Sequence, residues 1–221
     1  MKNALKLFES QLAPAELDLF NSLDSPVKIQ AFLNTVSYST DHFYRCPLRV
    51  MQERIGHCFD GALFAAVALR RIGYPPLILE IIPNAHDDDH LLAVFKFRGH
   101  WGAVAQSNFA NLRYRDPVYR TLRELVMSYF SYYFNATGEM TMLGYRTPIN
   151  FSVYDKLNWM TSDANLDFIG DDMGRYKIHR VVTDEMLSIL APADARILQS
   201  AFVGANMEGL FKVDESKSEG Y

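Results

Sequence analysis

The sequence predicts an α+β fold in which helices pack on an antiparallel sheet. Apolar residues recur at helical spacing over residues 3–36 and again over residues 58–72. Three strand-like runs follow at residues 77–82, 91–97 and 101–105, and the last two are joined by a turn that contains Gly99. Helical patterns then return, and this order of elements favours an α+β domain.

Length and composition place the chain among globular proteins and exclude some function classes. With 221 residues, of which 49% are hydrophobic, it can bury a core as one domain. A net charge of -4 provides no basic field for nucleic acid. The apolar runs are strand-sized, so no membrane span is expected, and Glu9 interrupts any signal peptide. We therefore expect a cytoplasmic protein.

We expect a single domain, 1–221, with three parts. Residues 1–47 form two or three short helices, because Pro14 and Pro26 stand where helices could begin. Residues 48–135 form the core, with helices at 48–54 and 121–133. Residues 136–221 form a mostly helical C-terminal extension, with candidate helices at 154–160, 163–168, 183–190 and 194–202.

Cys58 is the candidate nucleophile. It opens the helix predicted over residues 58–72, which Gly73 and the following prolines end. A helix N-terminus lowers the pKa of a thiol, and its N–H groups can stabilise an oxyanion. The alternative is a small buried hydrophobe, which is our interpretation of the other cysteine, Cys46.

His90 is the candidate base. It follows three aspartates, Asp87, Asp88 and Asp89, and opens a core strand next to the cysteine helix. The aspartates could also form a solvated loop, or a metal site together with His86 and His90. Clustered spacing disfavours the metal, and thiol chemistry requires no cofactor.

These residues resemble the transglutaminase-like superfamily, which has the papain-like cysteine-protease fold. Residues 56–75 resemble its cysteine helix, led by a glycine, any residue and the cysteine. Residues 88–90 and 99–101 resemble its histidine strand and its glycine–tryptophan strand. The resemblance covers residues 54–105.

The resemblance implies a core in which the cysteine helix packs on an antiparallel sheet, with flanking helices. It also implies cysteine-dependent acyl transfer or hydrolysis at an amide or peptide carbonyl. Cys58 would form a thioester, and His90 would take the thiol proton and protonate the leaving amine. The substrate would be a peptide, a protein or a small amide.

The chain departs from the family at the residue that orients the histidine. That acid or amide usually lies four positions after the strand tryptophan, where this chain has Ala105. Asn108 is the first candidate substitute and Gln106 the second, because an amide can also fix the ring tautomer. The alternative is a catalytically inactive binding module with the same fold.

Five residues are candidates for substrate binding: Gln52, His57, Trp101, Arg113 and Arg115. Gln52 stands six residues before the cysteine, as the oxyanion glutamine does in papain-like enzymes, although an exposed helical glutamine is the alternative. The two arginines could bind a carboxylate, or could form ion pairs with Asp116 or Glu124. The sequence does not indicate an oligomeric state.

Overall fold

The computed structural model describes residues 2–211. The helices are α1 (Lys2–Ser10), α2 (Pro14–Ser22), α3 (Pro26–Leu33), α4 (Pro47–Glu53), α5 (Cys58–Arg71), α6 (Leu122–Phe130), α7 (Leu166–Met173), α8 (Asp184–Leu187) and α9 (Ala195–Ala201). The strands are β1 (Ser37–Tyr38), β2 (Ile55–Gly56), β3 (Leu77–Pro83), β4 (His90–Phe97), β5 (His100–Val104), β6 (Arg115–Tyr119), β7 (Met142–Arg146), β8 (Ile149–Asn150) and β9 (Ile178–Arg180). Short 3-10 turns lie at Ala110–Leu112, Phe151–Leu157 and Met207–Gly209.

Seven strands form one antiparallel sheet in the order β6-β5-β4-β3-β7-β9, with β8 also paired to β3. The tight β4–β5 hairpin turns through Arg98 and Gly99, both of which have positive φ. This arrangement suits a two-residue hairpin, whose turn requires left-handed backbone angles. A separate parallel pair joins β1 to β2 just before the cysteine helix.

Helix α5 packs on one face of the sheet. The side chains of β4 point alternately to the two faces and show which residues lie on each. Leu91 and Ala93 lie in the hydrophobic cluster that contains α5 and the N-terminal helices. Leu92 and Val94 lie in the second cluster, with residues of α6. Because side chains alternate along a strand, the sheet separates two cores. The predicted α+β class, with the cysteine helix on an antiparallel sheet, is confirmed.

The boundaries of several elements follow from local sequence. Pro14 and Pro26 are the first residues of α2 and α3, where a proline loses no intrahelical hydrogen bond. Helix α5 places Gly61 against Gln106, two residues after the end of β5, where an added Cβ would lie 2.2 Å from the Cβ of Gln106. The absence of a side chain at Gly61 therefore sets the distance between the cysteine helix and the sheet.

The C-terminal part differs in detail from the expectation. Besides helices, it adds β7, β8 and β9 to the main sheet. Each of these strands has only two to five residues. Such short segments carry little periodicity, so pairing with an existing sheet edge decides their conformation. Within residues 2–211, no helix is both long and apolar enough to cross a bilayer.

Candidate functional site

Cys58 is the first residue of α5, and a buried carboxylate fixes that start. Asp60 is fully buried, and its Oδ2 accepts a hydrogen bond from the backbone N–H of His57 at 3.0 Å. Its Oδ1 accepts the N–H of Arg45 at 2.8 Å. The side chain of Asp60 thereby anchors the helix terminus that presents the thiol.

The Cys58 thiol is 8% exposed and lies against the backbone of the aspartate run. Its Sγ is 3.8 Å from the carbonyl oxygen of Asp89. Burial raises the pKa of the Cys58 thiol well above its usual value, and the negative charges of Asp89 and Asp88 raise it further. In this conformation the thiol is protonated at neutral pH.

His90 begins β4 and is 4% exposed. Its Nε2 lies 2.7 Å from the carbonyl oxygen of Leu112, and its ring meets that of Tyr129 edge-on at 6.4 Å. Burial lowers the pKa of His90 to about 4. The imidazole is therefore neutral at physiological pH, as a general base must be.

Cys58 and His90 line the same small cavity, of about 80 Å³. His90 lies on the same strand face as Leu92, whereas α5 packs on the opposite face. The two groups thus approach one cavity from both sides of the sheet, at the point where β4 begins. Asn108 and Tyr133 line the cavity too.

Cys58 also lines a larger cavity of about 440 Å³ on its other side. The aromatic walls of this second cavity include Phe43 and Tyr44, and its carboxylates include Asp167 and Asp171. The thiol consequently lies between a small cavity and a larger, acidic one.

The aspartate run is held by side chains from the following segment. The hydroxyl of Tyr133 donates to the carbonyl of Asp88 at 2.8 Å, and the hydroxyl of Thr141 donates to Asp87 at 2.5 Å. Sequence analysis did not identify Leu112, Tyr133 or Thr141, because their contacts depend on tertiary structure. Asp60 stands at the third position of the helix, where an acidic side chain can accept the N–H of the residue before the helix, and this position was the local signal for it.

The amides predicted to orient His90 are engaged elsewhere. The Asn108 side chain donates to the carbonyl of Asn206 and accepts its N–H, both at 2.8 Å. Gln106 is fully buried and donates to the carbonyl of Val36 at 2.8 Å. The ring of His90 instead donates its hydrogen bond, from Nε2, to the carbonyl of Leu112. Orientation by either amide stays a prediction.

Ala105, at the position of the family's orienting residue, is fully buried. Its backbone pairs with the side chain of Gln30, which accepts the N–H at 3.1 Å and donates to the carbonyl at 3.0 Å. This pairing ties α3 to the end of β5.

Both arginines predicted to bind substrate use their guanidinium groups on protein oxygens. Arg113 donates twice to the carbonyl of Ser107, at 3.0 and 2.8 Å. Arg115 donates to the hydroxyl and carbonyl of Ser128, and its guanidinium lies 3.9 Å from the ring centre of Tyr129. The alternative expectation, ion pairs with Asp116 or Glu124, was wrong, because these serine oxygens and the Tyr129 ring are the partners instead. In the part of the chain that the structure describes, neither arginine lines the small or the larger cavity beside Cys58.

The other predicted substrate-binding residues lie at different distances from the thiol. His57 lines the larger cavity beside Cys58, and its Nδ1 is 3.2 Å from Asp60. Gln52 is exposed on α4, as its alternative interpretation expected. Trp101 pairs with Lys96, towards the opposite end of β4 from His90. Substrate binding by these residues stays a prediction.

Two further alternatives from the sequence were a metal site formed by the aspartates with His86 and His90, and a buried, hydrophobic role for Cys46. The ring of His86 faces Glu139 at 2.9 Å, and among residues 2–211 no group of three or more His, Cys, Asp or Glu could hold a metal ion. Cys46 is 1% exposed, and burial raises the pKa of its thiol to about 12. Both cysteines are free thiols.

Comparison with known proteins yields a remote structural likeness. No protein-family model matches the chain, and no curated protein sequence matches it. Two solved structures of Legionella pneumophila LapG, one of them EGTA-treated, are 18% identical to it with a TM-score of 0.35. Each match covers 48% of this chain and 69% of LapG. A likeness of this degree says nothing about a shared activity.

Proposed function

We propose that the chain catalyses cysteine-dependent acyl transfer or hydrolysis at an amide or peptide carbonyl, on a transglutaminase-like fold. Cys58 is the nucleophile and His90 the base. One observation carries the proposal: the two residues line the same cavity, and the Nε2 of His90 faces a carbonyl. A carbonyl can only accept, so Nε2 carries the proton and the lone pair of Nδ1 is available for the thiol.

The reaction follows from this arrangement. Nδ1 of His90 takes the thiol proton as Sγ of Cys58 bonds to the substrate carbonyl carbon. Backbone N–H groups at the start of α5 lack intrahelical acceptors and stabilise the oxyanion. The C–N bond then breaks, the amine leaves with the proton from His90, and a thioester remains. Water or a second amine releases the acyl group.

The resting site requires a rearrangement before this chemistry. The hydrogen-bond contact of Sγ is with the carbonyl of Asp89, so the sulfur must turn towards the imidazole. Burial keeps the thiol protonated and the imidazole neutral, and a neutral pair can transfer the proton during attack.

The test is capture of the acyl-enzyme. The full chain is incubated with a mixture of peptides and small carboxamides, quenched in acid, and examined by mass spectrometry for an acyl group on Cys58. We expect adduct and released amine in wild type and in Cys46→Ser, and neither in Cys58→Ala or His90→Gln. Equal amine release from Cys58→Ala and wild type would refute the proposal.

The burial of both groups favours a second candidate, a binding module that uses the same site without turnover. The larger cavity, with aromatic walls and carboxylates, suits a ligand that bears a cationic group. This candidate predicts no acyl adduct under any condition, and a Phe43→Ala variant that binds such ligands more weakly. The acyl-enzyme experiment separates the two functions.

A further inference from the structure

The larger of the two cavities beside Cys58 has room for a substrate side chain. Its volume is about 440 Å³, and Cys58 lines it together with aromatic and acidic residues. This volume lies within the roughly 300–1,000 Å³ that protein ligand pockets occupy, whereas the small cavity of about 80 Å³ does not. The chemistry of the larger cavity therefore indicates which group a substrate could place beside the sulfur.

The charge on the walls of the larger cavity is negative and only partly compensated. Two of the carboxylates that line it form ion pairs, Asp41 with Arg45 and Glu80 with Arg146. The other carboxylates on its walls are those of Asp88, Asp89, Asp167 and Asp171. Within residues 2–211 none of these four aspartates forms an ion pair with a lysine or arginine, and no lysine or arginine lines the cavity.

Among the described residues, two histidines on these walls, His42 and His57, can also carry positive charge. Burial lowers the pKa of His57, but the hydrogen bond with Asp60 outweighs it, so the pKa is raised. The Nδ1 of His57 lies 3.2 Å from the carboxylate of Asp60, which is not among the residues that line the cavity. A proton on His57 is therefore balanced mainly by Asp60.

The uncompensated carboxylates repel one another. Burial raises the pKa of Asp88. Burial, followed by the charge of Asp88, raises the pKa of Asp89 well above its usual value. A positive group among these carboxylates would relieve the repulsion, so the cavity should bind a cation more tightly than a neutral group of the same size.

Aromatic rings stand beside the carboxylates and provide a second reason to expect a cation. The ring centres of Tyr44 and Phe59 lie 4.3 Å apart, and Tyr44 is 37% exposed. On the same wall the guanidinium of Arg45 lies 4.5 Å from the ring centre of Phe43. Rings next to carboxylates suit the aliphatic stem and the charged head of lysine or arginine.

The charge of the cavity favours a bound side chain over an amine that attacks the thioester. Such an amine must lose its proton before it reacts, and nearby carboxylates favour the charged ammonium form. A lysine or arginine side chain of the substrate, in contrast, stays charged and takes no part in the reaction. The carboxylates therefore suit recognition of the peptide that carries the reacting amide.

We propose that the larger cavity binds a lysine or arginine side chain of a peptide, next to the amide that Cys58 attacks. Attack on that amide rests on the proposed function. The preference for a cation beside the thiol does not, because it depends only on the charges and rings of the cavity.

The test compares two methanethiosulfonate reagents of similar size on the full chain, one with a trimethylammonium group and one with a sulfonate group. The Cys58 sulfur bonds to the reagent sulfur, methanesulfinate leaves, the thiol proton passes to buffer, and mass spectrometry measures the mixed disulfide. The acidity of the thiol cancels in the ratio of the two labelling rates. We expect the ratio of cationic to anionic labelling to be about tenfold higher at Cys58 than at Cys46.

Two variants remove charge from the cavity wall. Asp167 and Asp171 are exposed residues of α7, and Asp167→Asn and Asp171→Asn should each lower the ratio at Cys58 about threefold. Asp18→Asn is the matched control, because Asp18 is an exposed aspartate of α2 that does not line the cavity. An equal fall in all three variants would show that net charge governs labelling, and would overturn the proposal.

Peptides test the substrate assignment. Peptides with lysine immediately before or after the reacting amide are each compared with an acetyl-lysine counterpart. We expect at least one lysine peptide to form the acyl-enzyme about tenfold faster than its counterpart.

The two proposals fail separately. Equal ratios at Cys58 and Cys46, together with an acyl-enzyme that forms equally from charged and acetylated peptides, overturn the cation site and leave the proposed function standing. A charge preference at Cys58 that Asp167→Asn and Asp171→Asn weaken, without any acyl-enzyme, supports the cation site and refutes the proposed function.

Discussion

The Nε2 atom of His90 lies 2.7 Å from the carbonyl oxygen of Leu112. Because a carbonyl accepts one imidazole N–H, this contact selects the tautomer of the His90 ring. Ala105 has no polar side chain, and the Leu112 carbonyl defines the orientation of the imidazole instead.

We expect the neutral imidazole of His90 to carry its proton on Nε2. Long-range proton–nitrogen correlation NMR at pH 7 distinguishes the two tautomers directly. His100 provides an internal comparison, because its Nδ1, not its Nε2, faces a carbonyl, that of Arg98 at 3.2 Å. A proton on Nδ1 of His90 would contradict the assigned base.

Folding stability should depend on pH through His90. Burial lowers its pKa from 6.5 to about 4 in the folded chain, so between these values the unfolded chain binds a proton that the folded chain does not. The contribution of the neutral His90 to the free energy of unfolding is therefore fully present above about pH 6.5. The free energy of unfolding falls by about 3 kcal/mol as the pH drops towards 4. Urea unfolding at several pH values measures this slope.

The control for this experiment is His90→Gln, which should flatten the slope in that pH range. The difference between the two chains isolates the imidazole from the carboxylates nearby. An unchanged slope in His90→Gln would show that other groups govern acid unfolding.

Removing a negative charge beside Cys58 should make its thiol more acidic. After burial, the negative charge of Asp89 makes the largest contribution to the raised pKa of the thiol. We expect Asp89→Asn to shift the pH profile of Cys58 alkylation towards lower pH. Asp171 lines the larger cavity, and Asp171→Asn should shift the alkylation profile of Cys58 less. Equal shifts in the two variants would mean that the field of the whole cavity, and not Asp89, sets the acidity of the Cys58 thiol.

A side chain at Gly61 should separate the cysteine helix from the sheet. The added Cβ of Gly61→Ala would lie 2.2 Å from the Cβ of Gln106, and overpacking of this kind costs about 1–3 kcal/mol. Gly170→Ala is the matched control in α7, where the added Cβ would lie 3.7 Å from Cε2 of Tyr44, an ordinary van der Waals distance. Thermal unfolding compares the two, and equal stability would place the tight contact outside the native state.

Much of the fold could be predicted because its signals are local. Pro26 starts a helix, Gly99 turns a hairpin, and the small residues of α5 allow it to lie close to the sheet. The positions of Cys58 at a helix start and of His90 at a strand start could be predicted from local signals of the same kind. Each depends on neighbours within a few positions, which is the range over which propensity and periodicity act.

The sequence by itself determined the α+β class, the helix that begins at Cys58 and the strand that begins at His90. Only the tertiary structure decided that the imidazole faces the Leu112 carbonyl, that Asn108 pairs with Asn206, and that Gly209, Leu210 and Phe211 line the cavity of Cys58 and His90. These contacts join positions 22 to 98 residues apart, and some use backbone atoms that every residue has. No residue pattern marks such partners, because packing between elements, not side-chain identity, brings them together.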